Sequence, residues 1–421
     1  MNKLVKSVKG TRDFYPEEMA KRQWLIEKIR QTSELFGYEA YDGPCLEMID
    51  LYAAKSGEEL VKEQAFVFPD RSGELIALRP ELTPTLARMV ASRQNELTFP
   101  LRWWSFGPFW RYERPQKGRS REFFQWNIDL IGAEGVAADA ELIAVAARFF
   151  KNVGLRADQV LILVNNRQLM EAELSQIGVG DQLRPAILRM IDRLDKQPAE
   201  VWDENVLKLG LTPEQLSALK ALLANNDLWQ RSEELQALFM QLEALGVRDF
   251  VAYDPKIIRG LDYYTGTVFE AHDTSGDFRA ILGGGHYANL VADVGGKPLP
   301  GVGFAMGDVV IMLLLEALGL IPEQKAASKG VLMTVFDAAH QETAVRTAAR
   351  LREAGLQVIL YPEADKLAKQ LKYADRMGVR CALVIGPDEA EAGQVMVKDL
   401  VGRQQESVPQ TELVEYLRQR L

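Results

Sequence analysis

The 421-residue chain is 47% apolar and 26% charged, a globular composition long enough for two or three domains, which excludes disordered and fibrous classes. Cys45 and Cys381 stand too far apart to suggest a disulfide framework or a metal knuckle, which favours a reducing, cytoplasmic setting; His272, His286 and His340 lack the spacing of a zinc site. The formal charge of −9 excludes a generally basic nucleic-acid coat, yet local fields attract phosphate, and Arg111, Arg114, Lys117, Arg119 and Arg121 form a compact cationic stretch against only Glu113 and Glu122.

The first ten residues, MNKLVKSVKG, are basic but have no apolar stretch behind them, so no signal peptide is expected. After KGTRDFYP, Pro16 is placed to open a helix whose apolar positions Leu25, Ile29 and Phe36 follow helical spacing and which Gly37 ends; an extended segment runs on through Pro44. ALRPELTPTLAR places Arg79, Glu81 and Thr83 at a junction of strand and helix, a common position for ligand contacts. Glu81 is equally suited to a helix start, where the dipole favours a carboxylate.

Alternation over Leu101–Glu113 and Phe123–Gly132 predicts two antiparallel strands joined by the loop RPQKGRSR. Period two puts Gln125, Asn127 and Asp129 on one face of the second strand and Phe124, Trp126, Ile128 and Leu130 on the other. Arg111, Glu113 and Asp129 on neighbouring strands suit a zwitterionic or phosphorylated ligand, because arginine forks match phosphate oxygens and carboxylates match ammonium groups. A solvated, charge-rich hairpin would have the same composition.

From about 165 to 246 the pattern turns helical, with Ile187, Met190, Ile191 and Leu194 in one stripe and a capping box at Thr212–Gln215; this predicts a helical insertion. Arg259 to Glu270, RGLDYYTGTVFE, clusters an arginine, an aspartate and two tyrosines in a turn before a strand; they suit a polar planar ring beside a phosphoryl group, or the tyrosines pack the turn. Strand signals at Thr267–Ala271 and Phe278–Leu282 lead into Gly283–Gly285, read here as a sharp turn into a short helix or as a close approach of backbone to ligand. The longest apolar run, Val309–Leu315, stops at Glu316, well short of the roughly 18 residues of a membrane span, so no membrane segment is expected.

PEQKAASK, Pro322–Lys329, lacks apolar periodicity and is the linker candidate. Beyond it VLMTVF, a helix ending near Gly355, LQVILY, the helix DKLAKQLKYADRMG, and CALVIG give βαβαβ, a small parallel sheet with covering helices.

KGTRDFYP, LRPELTP, WRYERPQKGRSREFFQ, RGLDYYTGTVFE, GGGHY and PGVGFAMG, in this order, resemble class II aminoacyl-tRNA synthetases and most closely the histidyl-tRNA synthetases, over essentially the whole chain. RGLDYYTGTVFE matches the histidine-specific signature, and the tail resembles the family's anticodon-binding domain. The resemblance implies an α+β fold: a class II catalytic domain over 1–322, an antiparallel sheet flanked by helices with the insertion at about 165–246, then a linker at 323–329 and an α/β anticodon-binding domain over 330–421.

It further implies a histidine–tRNA ligase that uses ATP, with magnesium accompanying the nucleotide through unassigned ligands. Arg111 and Arg259 would serve catalysis at the α-phosphate; Glu81, Thr83, Gln125 and Asp129 would take the ammonium end of histidine, and Tyr263 and Tyr264 its imidazole. Glu113, Arg119 and Arg121 would join Arg111 around ATP, and Arg114, Gln116 and Lys117 would meet the tRNA acceptor end. The segment Pro16–Pro44 would lie at a two-fold interface, making a homodimer.

The chain departs from the family in two places. Val310 stands where GFAMG is usually followed by an arginine that contacts ATP, and GGGHYAN replaces GGGRYD, with His286 and Ala288 for an arginine and an aspartate. Arg119, Arg121 and His286 are the candidates for the missing charge, Arg121 foremost because it keeps its charge at any working pH. Two rival readings are a tRNA-binding protein with a dead site and the synthetase-like regulatory subunit of ATP phosphoribosyltransferase, a histidine sensor; the latter normally lacks a tail such as Gly330–Leu421.

Overall fold

The computed structural model describes residues 5–53, 64–116, 118–259, 263–289, 291–322 and 330–421; Lys117 and the 323–329 linker lie outside them. The chain divides into two compact units, 1–322 and 323–421.

In the first unit the extended Tyr15 leads into helix Pro16–Leu35, which buries Leu25 and Ile29, and Gly37 follows its end with φ of 76°. Glu39–Ala40 (β1) and Leu46–Met48 (β2) come next; β2 joins Phe66–Pro69 (β3) and Leu75–Leu78 (β4) in a small antiparallel sheet of order β2-β4-β3. Helix Thr83–Arg93, with Pro84 in its first turn, buries Leu86, Ala87 and Val90.

Leu101–Trp110 (β5) and Glu122–Ile131 (β6) pair antiparallel over their full length, from Leu101 opposite Ile131 to Trp110 opposite Glu122. After helix Val136–Asn152 come Val160–Asn166 (β7), the five helices from Arg167 to Ala244, Val251–Tyr253 (β8), Tyr264–Asp273 (β9), Leu282–Tyr287 (β10), Gly301–Gly307 (β11) and helix Asp308–Ala317. The large sheet has the order β1-β5-β6-β11-β10-β9-β7-β8 and is antiparallel except for its two edge pairs, β1 with β5 and β7 with β8. A sheet can be wet on one face when the other is packed: Trp126, Ile128 and Leu130 of β6 face helix Val136–Asn152 in a core that continues into the insertion through Trp202, Leu219 and Leu238. Because that core is shared, the five helices are an elaboration of the sheet domain. Thr212 makes both bonds of its capping box with Gln215, and Asn166 caps helix Arg167–Gln176.

The structure corrects the sequence reading at Gly283–Gly285. These glycines open no helix; they form the middle of β10, paired on both sides to β9 and β11. A methyl group on Gly284 would press on the Gly303 carbonyl and lie 2.6 Å from Phe304 Cβ. The strand predicted from Phe278 begins only at Leu282. Close backbone approach, not turn geometry, requires the glycines here.

The second unit holds Val331–Met333 (β12), Val358–Leu360 (β13) and Cys381–Val384 (β14) in parallel, with helices Gln341–Glu353 and Leu367–Arg376 between them. A hairpin that the sequence reading did not anticipate, Gln394–Asp399 (β15) and Gln404–Pro409 (β16), extends this sheet antiparallel to β14. Val331, Met333, Leu351, Leu383 and Leu417 form its core.

Candidate active site

The polar face of β6 opens on a cavity of about 120 Å³. Gln125, Asn127 and Asp129 form its floor with Gly303, Phe304 and Ala305 of β11; Glu81 and Thr83 enter from the start of helix Thr83–Arg93, Arg111 from the end of β5, and Arg259, Tyr263 and Tyr264 from the approach to β9. All eight residues anticipated at the histidine and α-phosphate positions therefore line one cavity, although they come from four stretches of chain. Asn127 and Tyr287 join them without having been assigned a role. Alternation already placed Asn127 on the polar face, and its Nδ2 is buried without a hydrogen-bond partner among the described residues.

Asp129 is 5% exposed, and its Oδ1 accepts from the Tyr287 hydroxyl at 3.0 Å. Burial drives its carboxyl up to about 7, against the opposing effect of the Tyr287 bond. Gly303 must be a glycine, because a Cβ there would stand 2.8 Å from Asp129 Cγ. The rings of Tyr263 and Tyr264 lie 4.8 Å apart, and burial raises the pKa of both hydroxyls, so both are neutral hydrogen-bonding groups at working pH.

Arg259 adopts φ of 61°, a left-handed conformation uncommon outside glycine and often found at functional sites. Its guanidinium pairs with Glu270 and lies against Gly283, where a Cβ would stand 2.5 Å from Arg259 Cζ. Glu270 also meets His272 Nε2 at 2.9 Å. Burial would raise the Glu270 pKa, but the charge of Arg259 and the His272 bond outweigh it and hold the carboxyl down at about 2. The sequence reading assigned no role to Glu270 or His272, yet their i, i+2 spacing in a strand puts both on one face. Arg259 keeps a buried Nε without a partner among the described residues.

Arg79, one of the candidate contacts, is instead a structural tie. It is fully buried, donating to Asp42 at 2.7 Å, the Gly43 carbonyl at 2.9 Å and the Pro108 carbonyl at 2.9 Å, and so fixes the segment that presents Glu81. Arg111 similarly donates through Nε to the Pro80 carbonyl at 3.0 Å.

Of the cationic loop's other described residues, Glu113, Arg114, Gln116, Arg119 and Arg121 do not line the cavity. Arg119 pairs with Glu113 at 2.8 Å, and Gln116 and Arg119 exchange backbone bonds that close the tip. Arg114 and Gln116 are exposed. Arg121 lies 4.0 Å over the Tyr112 ring, donates to the Glu113 carbonyl and packs its stem on Gly10. It is engaged by its own hairpin, not directed at the cavity. His286 also turns away, with Nδ1 3.0 Å from Asp139 of helix Val136–Asn152. Neither Arg121 nor His286, the cations the sequence offers for the missing charge, lines the cavity.

The profile of the family described as Histidyl-tRNA synthetase matches residues 10–308, and that of Anticodon binding domain matches 320–420. A histidine–tRNA ligase of Opitutus terrae is 38% identical over 97% of this chain and 96% of its own length. The chloroplastic/mitochondrial histidine–tRNA ligase of Arabidopsis thaliana is also 38% identical, over 96% of this chain and 85% of its own. Among solved structures, histidyl-tRNA synthetase from a Nostoc species superposes with a TM-score of 0.81 at 26% identity, covering 100% of both chains.

Proposed function

The chain belongs to the histidyl-tRNA synthetase family, and from this premise we propose how its cavity works. The enzyme ligates histidine to tRNA with ATP, first making histidyl adenylate and then transferring histidine to the 3′ end. Asp129 and Glu81 receive the ammonium group, with Thr83 and Gln125 orienting it, while Tyr263 and Tyr264 face the imidazole as neutral donors and acceptors. A histidine carboxylate oxygen then attacks the α-phosphorus, and the bond to the bridging oxygen breaks as pyrophosphate leaves with the electron pair. Arg111 and Arg259 hold the α-phosphate oxygens as charge shifts between them, so the protein contributes positioning and preorganised charge, not a covalent intermediate. Glu270 keeps the Arg259 fork in place.

In the second step the terminal ribose hydroxyl of tRNA attacks the histidyl carbonyl and AMP leaves. The exposed Arg114 and Gln116, with Lys117, meet the acceptor end, and the unit from 330 onward reads the anticodon. Arg121 supplies positive field near ATP from the hairpin, and the Glu113–Arg119 pair, neutral as a whole, offers the nucleotide hydrogen-bonding groups. Magnesium accompanies the triphosphate; such ions are usually held by phosphates, water and one or two carboxylates.

A single observation carries this reading: side chains from four stretches of chain, each matching a part of histidyl adenylate, converge on one cavity. Charging of histidine tRNA with labelled histidine tests it, and failure of the folded enzyme to charge that tRNA would refute it. We also place the enzyme in the cytoplasm as a homodimer. Exposed Leu46, Met48 and Phe68 share one face of the small sheet by its register and give an apolar face suited to a two-fold contact, more so than helix Pro16–Leu35, whose apolar side is already buried. Sedimentation at one chain mass would exclude the dimer.

A further inference from the structure

Three segments meet at the tip of the cationic hairpin. A Cβ built on Gly118 would lie 3.7 Å from Val310 Cγ2 at the start of helix Asp308–Ala317 and 3.8 Å from Arg279 Cδ in the connection between β9 and β10. Arg279 is exposed, and among the described residues it has no hydrogen bond or ion pair. Partial burial and then the nearby positive charge of Arg119 hold its guanidinium below its ordinary pKa, with Glu113 acting the other way. Glu113 is already paired with Arg119, so two guanidiniums and one committed carboxylate leave one positive charge without an anion beside the hairpin whose Arg111 enters the cavity. A guanidinium beside another in an acidic protein calls for a polyanion, since like charges this close are unfavourable until one binds.

We propose that Arg279 is the cation that grips the far end of the ATP triphosphate in this chain, reaching across Gly118 and Val310 from the β9–β10 connection. This rests on the ligase reading above, in which ATP enters with its α-phosphate at Arg111 and Arg259. Val310, half-buried and apolar, lies beside Gly118 as Arg279 does and cannot contact phosphate electrostatically. Arg121 and His286 are engaged elsewhere, by Tyr112 and Asp139 respectively.

The test compares the wild-type full chain with Arg279→Ala, Arg279→Lys and the double variant Arg279→Ala/Val310→Arg, measuring ATP and AMP binding by calorimetry and the Michaelis constants of histidine-dependent pyrophosphate exchange. A charge-assisted contact predicts that Arg279→Ala weakens ATP roughly tenfold or more, leaves AMP and histidine within about twofold, and is partly restored by lysine and by the arginine at 310. An unchanged ATP affinity, or equal losses for ATP, AMP and histidine, would overturn the assignment. Absence of exchange in the wild type would instead count against the ligase reading, and ATP calorimetry would still decide the role of Arg279.

Discussion

The Tyr287 hydroxyl donates to Asp129 Oδ1 at 3.0 Å, joining residues 158 positions apart at the floor of the cavity. The bond only partly offsets burial, which leaves the Asp129 carboxyl near 7. An ammonium ligand would stabilise the ionised form, so histidine binding should weaken as pH falls below about 7. Free histidine also titrates near 6.5, so the quantity to measure is the difference between wild type and Asp129→Asn. The variant should raise the Michaelis constant for histidine roughly tenfold or more at pH 8 and flatten the part of the pH dependence that the ligand does not cause. Parallel profiles for the two proteins would remove Asp129 from ammonium recognition.

The same group affects stability with the opposite sign to an ordinary paired carboxylate. Its folded pKa lies above the unfolded value of about 3.9, so the stability it contributes is complete below that pH and is lost as pH rises through about 7. Ligand-free Asp129→Asn should therefore melt higher than wild type at pH 8 and show little difference at pH 4. A variant less stable at both values would contradict this.

Arg259→Ala should slow adenylate formation by at least about 100-fold while changing histidine affinity little, because its charge is needed most in the transition state. Glu270→Gln should produce a smaller loss of rate and cost roughly 1–3 kcal/mol at neutral pH, since the Arg259 guanidinium would lose its ion-pair partner. The folded pKa of Glu270, about 2, is below its unfolded value, so its stabilisation is present above about pH 4.3 and disappears as pH falls through 2. Single-turnover kinetics that show only weaker histidine binding in Arg259→Ala would make that arginine a ground-state contact.

Gly284→Ala should destabilise the first unit by roughly 1–3 kcal/mol through overpacking, since the new methyl meets Phe304, Phe269 and the Gly303 carbonyl at once. Chemical denaturation checks this. A neutral effect would mean that β10 and β11 can separate without loss.

Removal of the residues after Pro322 should leave adenylate formation largely intact and weaken tRNA charging, because each unit has its own core. A folded truncation that cannot form adenylate would contradict this division.

Much of the site was legible in the sequence where chemistry and period agreed. In β6, alternation put Gln125 and Asp129 on the polar face; the resemblance then assigned them to the ammonium group, and they do line the cavity. What the sequence concealed were long-range choices. Whether Gly283–Gly285 made a turn or a strand depended on Arg259 and Gly303 lying against them, which no local pattern records. Arg79 and Glu81 look alike as candidates in the sequence, but their partners separate them, one tying segments together and the other lining the cavity. Arg121 matched the missing charge by residue type, but Tyr112 and Gly10 hold it elsewhere. The β15–β16 hairpin was missed because its second strand, QQESVP, is exposed over most of its length and carries little apolar alternation.

Amino-acid-dependent exchange of pyrophosphate into ATP by the full chain is the most direct measurement of the histidine–tRNA ligase assignment. That assignment predicts exchange with histidine and none above background with the other amino acids, abolished by Arg259→Ala. Exchange with a different amino acid, or none with histidine by folded protein that still binds ATP, would contradict it.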